Sequence, residues 1–452
     1  MNNRRSYCFI CIVLCVLCLN ISFAVTIYVP SDQPTIQAGI DAAQDGDTVL
    51  VADGTYKGEG NVNIDFLGKE ITVKSVDGPK STIIDCQSTP ETRGFNFQNH
   101  ETNDAVLEGF TIKNGNHVYG SGINCINASP TIKNSIISGN RITSNKFGIG
   151  IYAVNSDMVI VDTTISNNWT GVYFEFDDRL IEGEDKDTLN RSTLVNCIVS
   201  DNIGTGVVSL HSARTEIRDS EVSKNGGRGV VSNAPGSGIY INNSVISLNG
   251  RGGVECSEFA FLKITDSIIR QNTAKEGGGI YGSPSANIEV SNSIISQNIA
   301  TRRGGGIHVG STFGSTKISH CTISRNTADG WGGGVYASIE IAFFEMSDSI
   351  IWGNSSDTIH DDLFISGGTI EIHRCNIRDG LKHIHQKPEK GWFIYDDNID
   401  TDPLFVDADR GDYRLKSHSP AINMGANAAK QGLLSVSAIG KKVVKWVDLK
   451  RR

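Results

Sequence analysis

The chain has 452 residues, with 41 Lys and Arg against 50 Asp and Glu, and this net charge of −9 excludes a generally basic nucleic-acid binder. Apolar residues make up 38% and there are 49 glycines, which describes a globular chain rich in turns. Only six of its ten cysteines (86, 125, 197, 256, 321 and 375) lie beyond position 24, too few at this length for a disulfide framework.

Residues 1–24 have the layout of a secretory signal. Arg4 and Arg5 precede an apolar run from Tyr7 to Leu19, and Ser22-Phe23-Ala24 offers small residues for cleavage. The run is shorter than the ~20 residues of a membrane span, and the bulky Leu17 before Cys18 disfavours a lipid anchor. The mature protein is therefore expected to be secreted or at the cell surface, with no transmembrane span, and to be a monomer. Residues 25–94 read as an N-terminal cap and first coils. Between Ile27 and Tyr56 come a strand, a short amphipathic helix around Ile36 to Ala43, a D-G-D turn and a second strand. A helix there covers the open apolar end of the first coil.

From 95 to 380 the chain repeats itself. A seven-residue phrase occurs nine times, from NSIISGN (134–140) to DSIIWGN (348–354): Asn/Asp/His, a small residue, any, Ile/Val, two of any kind, Asn. The closing asparagines, with a degenerate copy ending at Asn114, are 23 to 34 residues apart. Short runs of Ile, Val, Thr and Ser bounded by Asn and Gly predict strands and turns, about three strands to a period. Stacking such periods gives an all-β, single-stranded right-handed parallel β-helix, with counterpart strands ~4.8 Å apart. The Ile/Val must point inward. The closing Asn suits a ladder in which polar side chains bond their copies in neighbouring coils. The cysteines fall in small inward slots that adjacent coils do not share, so they are expected to be buried and unbridged. Residues 381–428, with DPLFVD, GDYRL and SPAINMG, read as a C-terminal cap segment. Residues 429–452 form a basic tail, suited to an anionic surface or simply solvated.

These features resemble the secreted right-handed parallel β-helix proteins of the pectate-lyase-like superfamily. The opening resembles the cap of bacterial members, and the closing segment resembles bacterial surface β-helix proteins. The resemblance implies the fold and carries over no catalytic residue. No GHG or paired-aspartate motif of polygalacturonases is present, likeness to pectin methylesterases stops at GTYKGE (Gly54–Glu59), and the DPHD motif of mannuronan epimerases is missing.

A candidate surface emerges from RGGVECS, EGGGIYGS, RRGGGIHVG and GWGGGVYAS. If the Ile/Val after the glycines points inward, the next residue points outward. That outward position runs Asn124, Tyr152, Tyr173, Val208, Val231, Glu255, Tyr281, His308, Tyr336. Its last four are expected to form a column with ~5 Å between neighbours, flanked by Arg228, Arg251, Lys275, Arg302, Arg303 and Trp331 in the turns before the strands. Rings suit the apolar faces of pyranoses and Arg forks suit carboxylates, so an acidic, uronate-containing polysaccharide is the expected partner. If the face is catalytic, the chemistry is β-elimination. Arg302, Arg303 or a bound Ca²⁺ neutralises the carboxylate, and His308 or Tyr281 takes the proton. Glu255 is the only acid among those four, which disfavours two-carboxylate hydrolysis.

The same residues also read as an ordinary sheet surface with solvated arginines, in which case the protein is a non-catalytic surface or adhesion protein and the β-helix a rigid spacer. An acidic insertion (Phe174–Arg191) offers Asp177, Asp178, Glu182 and Glu184 as Ca²⁺ ligands, or as a solvated loop. His360, His373, His383 and His385 match no zinc spacing.

Overall fold

In the computed structural model, which describes residues 24–142, 148–177, 191–311, 313–340, 342–357, 362–385 and 392–426, each period supplies three strands, and each strand pairs in parallel with its counterpart one coil away. The result is the predicted parallel β-helix. Sheet I has 15 strands among the described residues, from Thr26–Val29 to Phe393–Asp396. Sheet II has 13, from Ile64–Asp65 to Ile384–His385, and sheet III has 13, from Gly54–Tyr56 to Asn376–Ile377. The solenoid thus begins well before 95 and sheet I runs past 380. A fourth sheet of four strands, Thr273–Glu276, Ile299–Arg303, Thr327–Ala328 and Ser355–Ser356, was not expected.

The recurring phrase builds sheet III, and each of its places has a distinct physical task. Its first residue takes a left-handed backbone conformation in copy after copy: φ is 46° at Asn134, 52° at Asp219 and 49° at Asp348. Asn and Asp tolerate this region better than other side chains. The fourth residue (Ile137, Ile165, Val199, Val222, Ile246, Ile269, Ile295, Ile323, Ile351) is fully buried in one continuous core. The small second place closes a turn: Ser220, Ser244, Ser267 and Ser293 each accept a bond from the backbone N–H of the corresponding residue one coil earlier. The six cysteines among the described residues are free and buried, and burial pushes each thiol up to about 12.

The closing asparagines form the expected ladder. From Asn140 through Asn168, Asn202, Asn225, Asn249, Asn272, Asn298 and Asn326 to Asn354, each side-chain Nδ2 donates to Oδ1 of the next at 2.9–3.2 Å. Each also donates to a strand carbonyl, and its backbone N–H bonds the next Oδ1, as at Asn249 to Asn272 (3.0 Å). The ladder ends on Asp362, whose Oδ1 accepts from Asn354 and whose Oδ2 pairs with Arg378.

The helix Ile36–Ala42 caps the first coil as predicted, burying Ile36, Gly39 and Ile40. Lys69 Nζ collects the carbonyls of Ile40, Asp41 and Ala43 at 2.7–2.9 Å, which satisfies the helix C-terminus. The C-terminal segment first adds to the last coil, where Ile399 bridges Asn376 and Asn398 Nδ2 donates to the Ile372 carbonyl at 2.9 Å. It then folds back along the outer face of sheet III. There Tyr413 packs on Val245, Ile268 and Ile294, and Ala426 N–H bonds Thr322 Oγ1 at 3.1 Å. The reason is legible in hindsight: the third, outward place of the phrase is aliphatic in these coils, and that apolar stripe needs a cover.

Candidate functional site

Sheet II carries the glycine phrases, and its strand register confirms the proposed alignment. Asn124, Tyr152, Tyr173, Val208, Val231, Glu255, Tyr281, His308 and Tyr336 stand opposite one another in successive coils, and Phe364 continues the series. The glycines let the coils approach. A Cβ on Gly306 would meet the Gly334 carbonyl oxygen at 2.5 Å, and Gly304 has φ 64°.

The ring spacing follows from this stacking. Centroids lie 5.2 Å apart for Tyr281–His308, 5.0 Å for His308–Tyr336 and 5.1 Å for Tyr336–Phe364, all stacked. Trp331 extends the tier sideways, 5.1 Å from Phe364. Arg303 lies over both Trp331 and Tyr336 at 5.2 Å, and Arg228 lies over Tyr281 at 5.1 Å.

Three expectations need correction. His308 points away from the core yet is only 6% exposed, because Tyr281 and Tyr336 sandwich its ring. Burial pulls its pKa down to about 4, and Arg303 and Arg302 reinforce this against Glu276, so the imidazole is neutral at pH 7. Its Nδ1 is buried without a partner. Second, Lys275, Arg302 and Arg303 lie on strands of the fourth sheet and not in turns. Third, not all the cations are free: Arg228 pairs with Glu255, and Arg302 pairs with Glu276 at 3.1 Å.

Four of the predicted binding residues come together elsewhere along the face. Arg228, Arg251, Lys275 and Glu255 line one open groove of ≈ 910 Å³, which Trp169 and Ile203 also line. Arg251 and Lys275 are exposed and have no carboxylate partner among the described residues. The groove and the ring tier share Arg228 and Glu255, so they form one basic, aromatic surface over the C-terminal half of sheet II.

A second groove, ≈ 870 Å³, opens at the N-terminal half of the same face and went unrecognised in the sequence. Tyr119, Tyr152 and Tyr173 pack there with their rings tilted by 40° and 37°, centroids 5.0 and 5.6 Å apart. The Tyr152 hydroxyl donates to Glu175 at 3.0 Å, and Glu175 also meets His211 Nδ1 at 3.0 Å. Burial, then Glu175, raises the Tyr152 pKa; the same causes push Tyr173 up to about 12. Tyr152 and Tyr173 belong to the aligned series, and Glu175 stands two places on from Tyr173, so alternation alone could have placed it. Tyr119, Glu91 and Arg93 come from irregular coil, where no period announces them.

Of the candidate Ca²⁺ ligands, Asp178, Glu182 and Glu184 lie outside the described residues. The Asp177 backbone bonds both ends of the Asn155 amide. Among the described residues no group of three or more His, Cys, Asp or Glu is placed to hold a metal, and no helix is long and apolar enough to cross a membrane.

The chain is similar in fold to several solved structures. Its likeness reaches the A-module of Azotobacter vinelandii mannuronan C-5 epimerase AlgE4 (12% identity, TM-score 0.41, 81% of this chain and 95% of that one). It also reaches a mannuronic acid specific polysaccharide family 6 lyase from human gut microbiota (14%, 0.42, 72% and 86%) and the pectate lyase Pel9A (12%, 0.41, 90% and 92%). Likeness at this level assigns no residue a role. Among curated proteins no sequence matches. The model of the right-handed beta helix region matches residues 71–246 and 150–300, together just over half the chain. With parallel coils, the inward aliphatic stack and the asparagine ladder all in register, the chain belongs to the right-handed β-helix family.

Proposed function

We propose that this is an exported protein that binds an acidic, uronate-containing polysaccharide along the C-terminal half of sheet II. One observation carries the reading: Arg251 and Lys275, exposed and without ion-pair partners among the described residues, line a groove continuous with a tier of stacked rings. Surface cations unpaired beside aromatic faces suit carboxylates on a chain of pyranoses. The repeat of about 5 Å matches a ligand that is itself extended and periodic.

A second reading, cleavage by β-elimination, is favoured by the state of His308. The imidazole is neutral with an unpartnered Nδ1 close to Arg302 and Arg303, so it can accept a proton, but its pKa of about 4 would have to rise on substrate binding for it to be an effective base. Its burial requires that substrate displace part of the ring tier. Incubation with pectate, alginate and glycosaminoglycans, with and without Ca²⁺, separates the readings. A rise in absorbance near ~235 nm that His308→Ala or Arg303→Ala abolishes supports a lyase acting by general base catalysis. Retardation in gels containing one of these polymers, without that rise, supports binding alone. With neither signal the protein is a rigid spacer, and the column is ordinary sheet surface.

A further inference from the structure

The N-terminal groove differs from the basic one in three respects that together point to another ligand. Its charged wall is reversed: Glu91, Glu175 and Asp177 line it against the single guanidinium of Arg93. Its rings present a different face to solvent. A loop crossing at Gly120, where a Cβ would meet Asn124 Cα at 2.7 Å, brings Tyr119 over Tyr152 and leaves the Tyr119 ring 54% exposed. Its floor holds an anomaly. Asn124 is only 4% exposed and lines the groove, and among the described residues its amide has no hydrogen-bond partner, so it opens onto the groove. Buried amides are nearly always paired, yet neither in-register neighbour, Tyr152 or Asn96, takes this one up; the Asn96 Oδ1 accepts instead from Arg93 at 3.2 Å.

We propose that this groove is a second saccharide site, built for uncharged pyranose units. A sugar ring stacks on Tyr119, Asn124 pairs with its hydroxyls, and Glu175, already oriented by Tyr152 and His211, accepts from another. Carboxylates accept strong hydrogen bonds from hydroxyls and repel uronates, so the two halves of one face divide neutral from acidic sugar. The site is independent of the basic groove and stands or falls without it.

The test is calorimetric titration of the full chain with neutral hexasaccharides (mannohexaose, cellohexaose, maltohexaose) and with hexagalacturonate. One neutral hexasaccharide is expected to bind, with affinity falling at least about tenfold in Tyr119→Ala and Glu175→Gln and unchanged in Arg251→Ala. Tyr119 is exposed and Gln preserves the size of Glu175, so both variants should fold; matching thermal unfolding to wild type checks this. Absence of binding by all three neutral probes would overturn the proposal. So would neutral binding that survives both variants, or hexagalacturonate binding that the same variants abolish.

Discussion

The asparagine ladder and the outward column of sheet II repeat at the same interval on the same coils, yet one keeps a single residue type and the other changes at nearly every step. Inside, the partner of each Asn is another Asn, so the geometry of one coil dictates the next. Outside, no neighbour imposes a side chain, and the series passes from Asn and Tyr through Val to Glu, Tyr and His. Uniformity therefore marks what holds the solenoid together, and variation marks where it can meet something else.

Breaking the ladder should have the largest effect. Asn249→Ala removes the acceptor of Asn225 N and Nδ2 and the donor to Val222 O and Asn272 Oδ1. Leaving such buried groups unpaired should cost on the order of 4 kcal/mol in urea unfolding. An equal loss from a column substitution such as Val231→Ala would erase the distinction between the two series.

The next effects depend on pH and differ in sign. His308 has a folded pKa of about 4. The unfolded chain takes up a proton below about 6.5 and the folded one does not, so stability falls by up to about 3 kcal/mol as pH drops through that window. His308→Phe should abolish this fall. Asp362, at the ladder's end, runs the other way. Burial pushes it up to about 6 against the pull of Arg378, so the folded chain binds the extra proton between about 4 and 6. Its contribution thus rises as pH falls there. Asp362→Asn keeps an acceptor for Asn354 and should remove that rise. Unfolding of each variant at pH 4.5 and 7 resolves both.

Much of the first series was legible in the sequence, because inward positions repeat their residue types: Ile137 and its eight counterparts, the asparagines and the serine slot all announce themselves by period. The column could be aligned from the glycine phrase, but not its surroundings. Alternation says that His308 points away from the core; it does not say that two flanking rings bury it. The fourth sheet lengthens only a few coils, so no period reveals that Arg302 and Arg303 are on a strand. Glu276, which pairs with Arg302, was missed for the same reason. The fold-back of Tyr413 and Ala426 joins segments far apart in sequence and left its trace only in the aliphatic outward residues it covers.

The smallest structural effect should accompany the largest functional one. Arg251 and Lys275 are exposed and pair with no described carboxylate, so Arg251→Ala with Lys275→Ala should change unfolding by less than about 1 kcal/mol. The decisive measurement is the affinity of wild type and of this double variant for a defined uronate hexamer at low and high salt. The account predicts binding by wild type that weakens as salt rises, and a loss of at least about tenfold in the variant with unfolding unchanged. Equal affinity in the two proteins, or no binding by wild type at low salt, would contradict it.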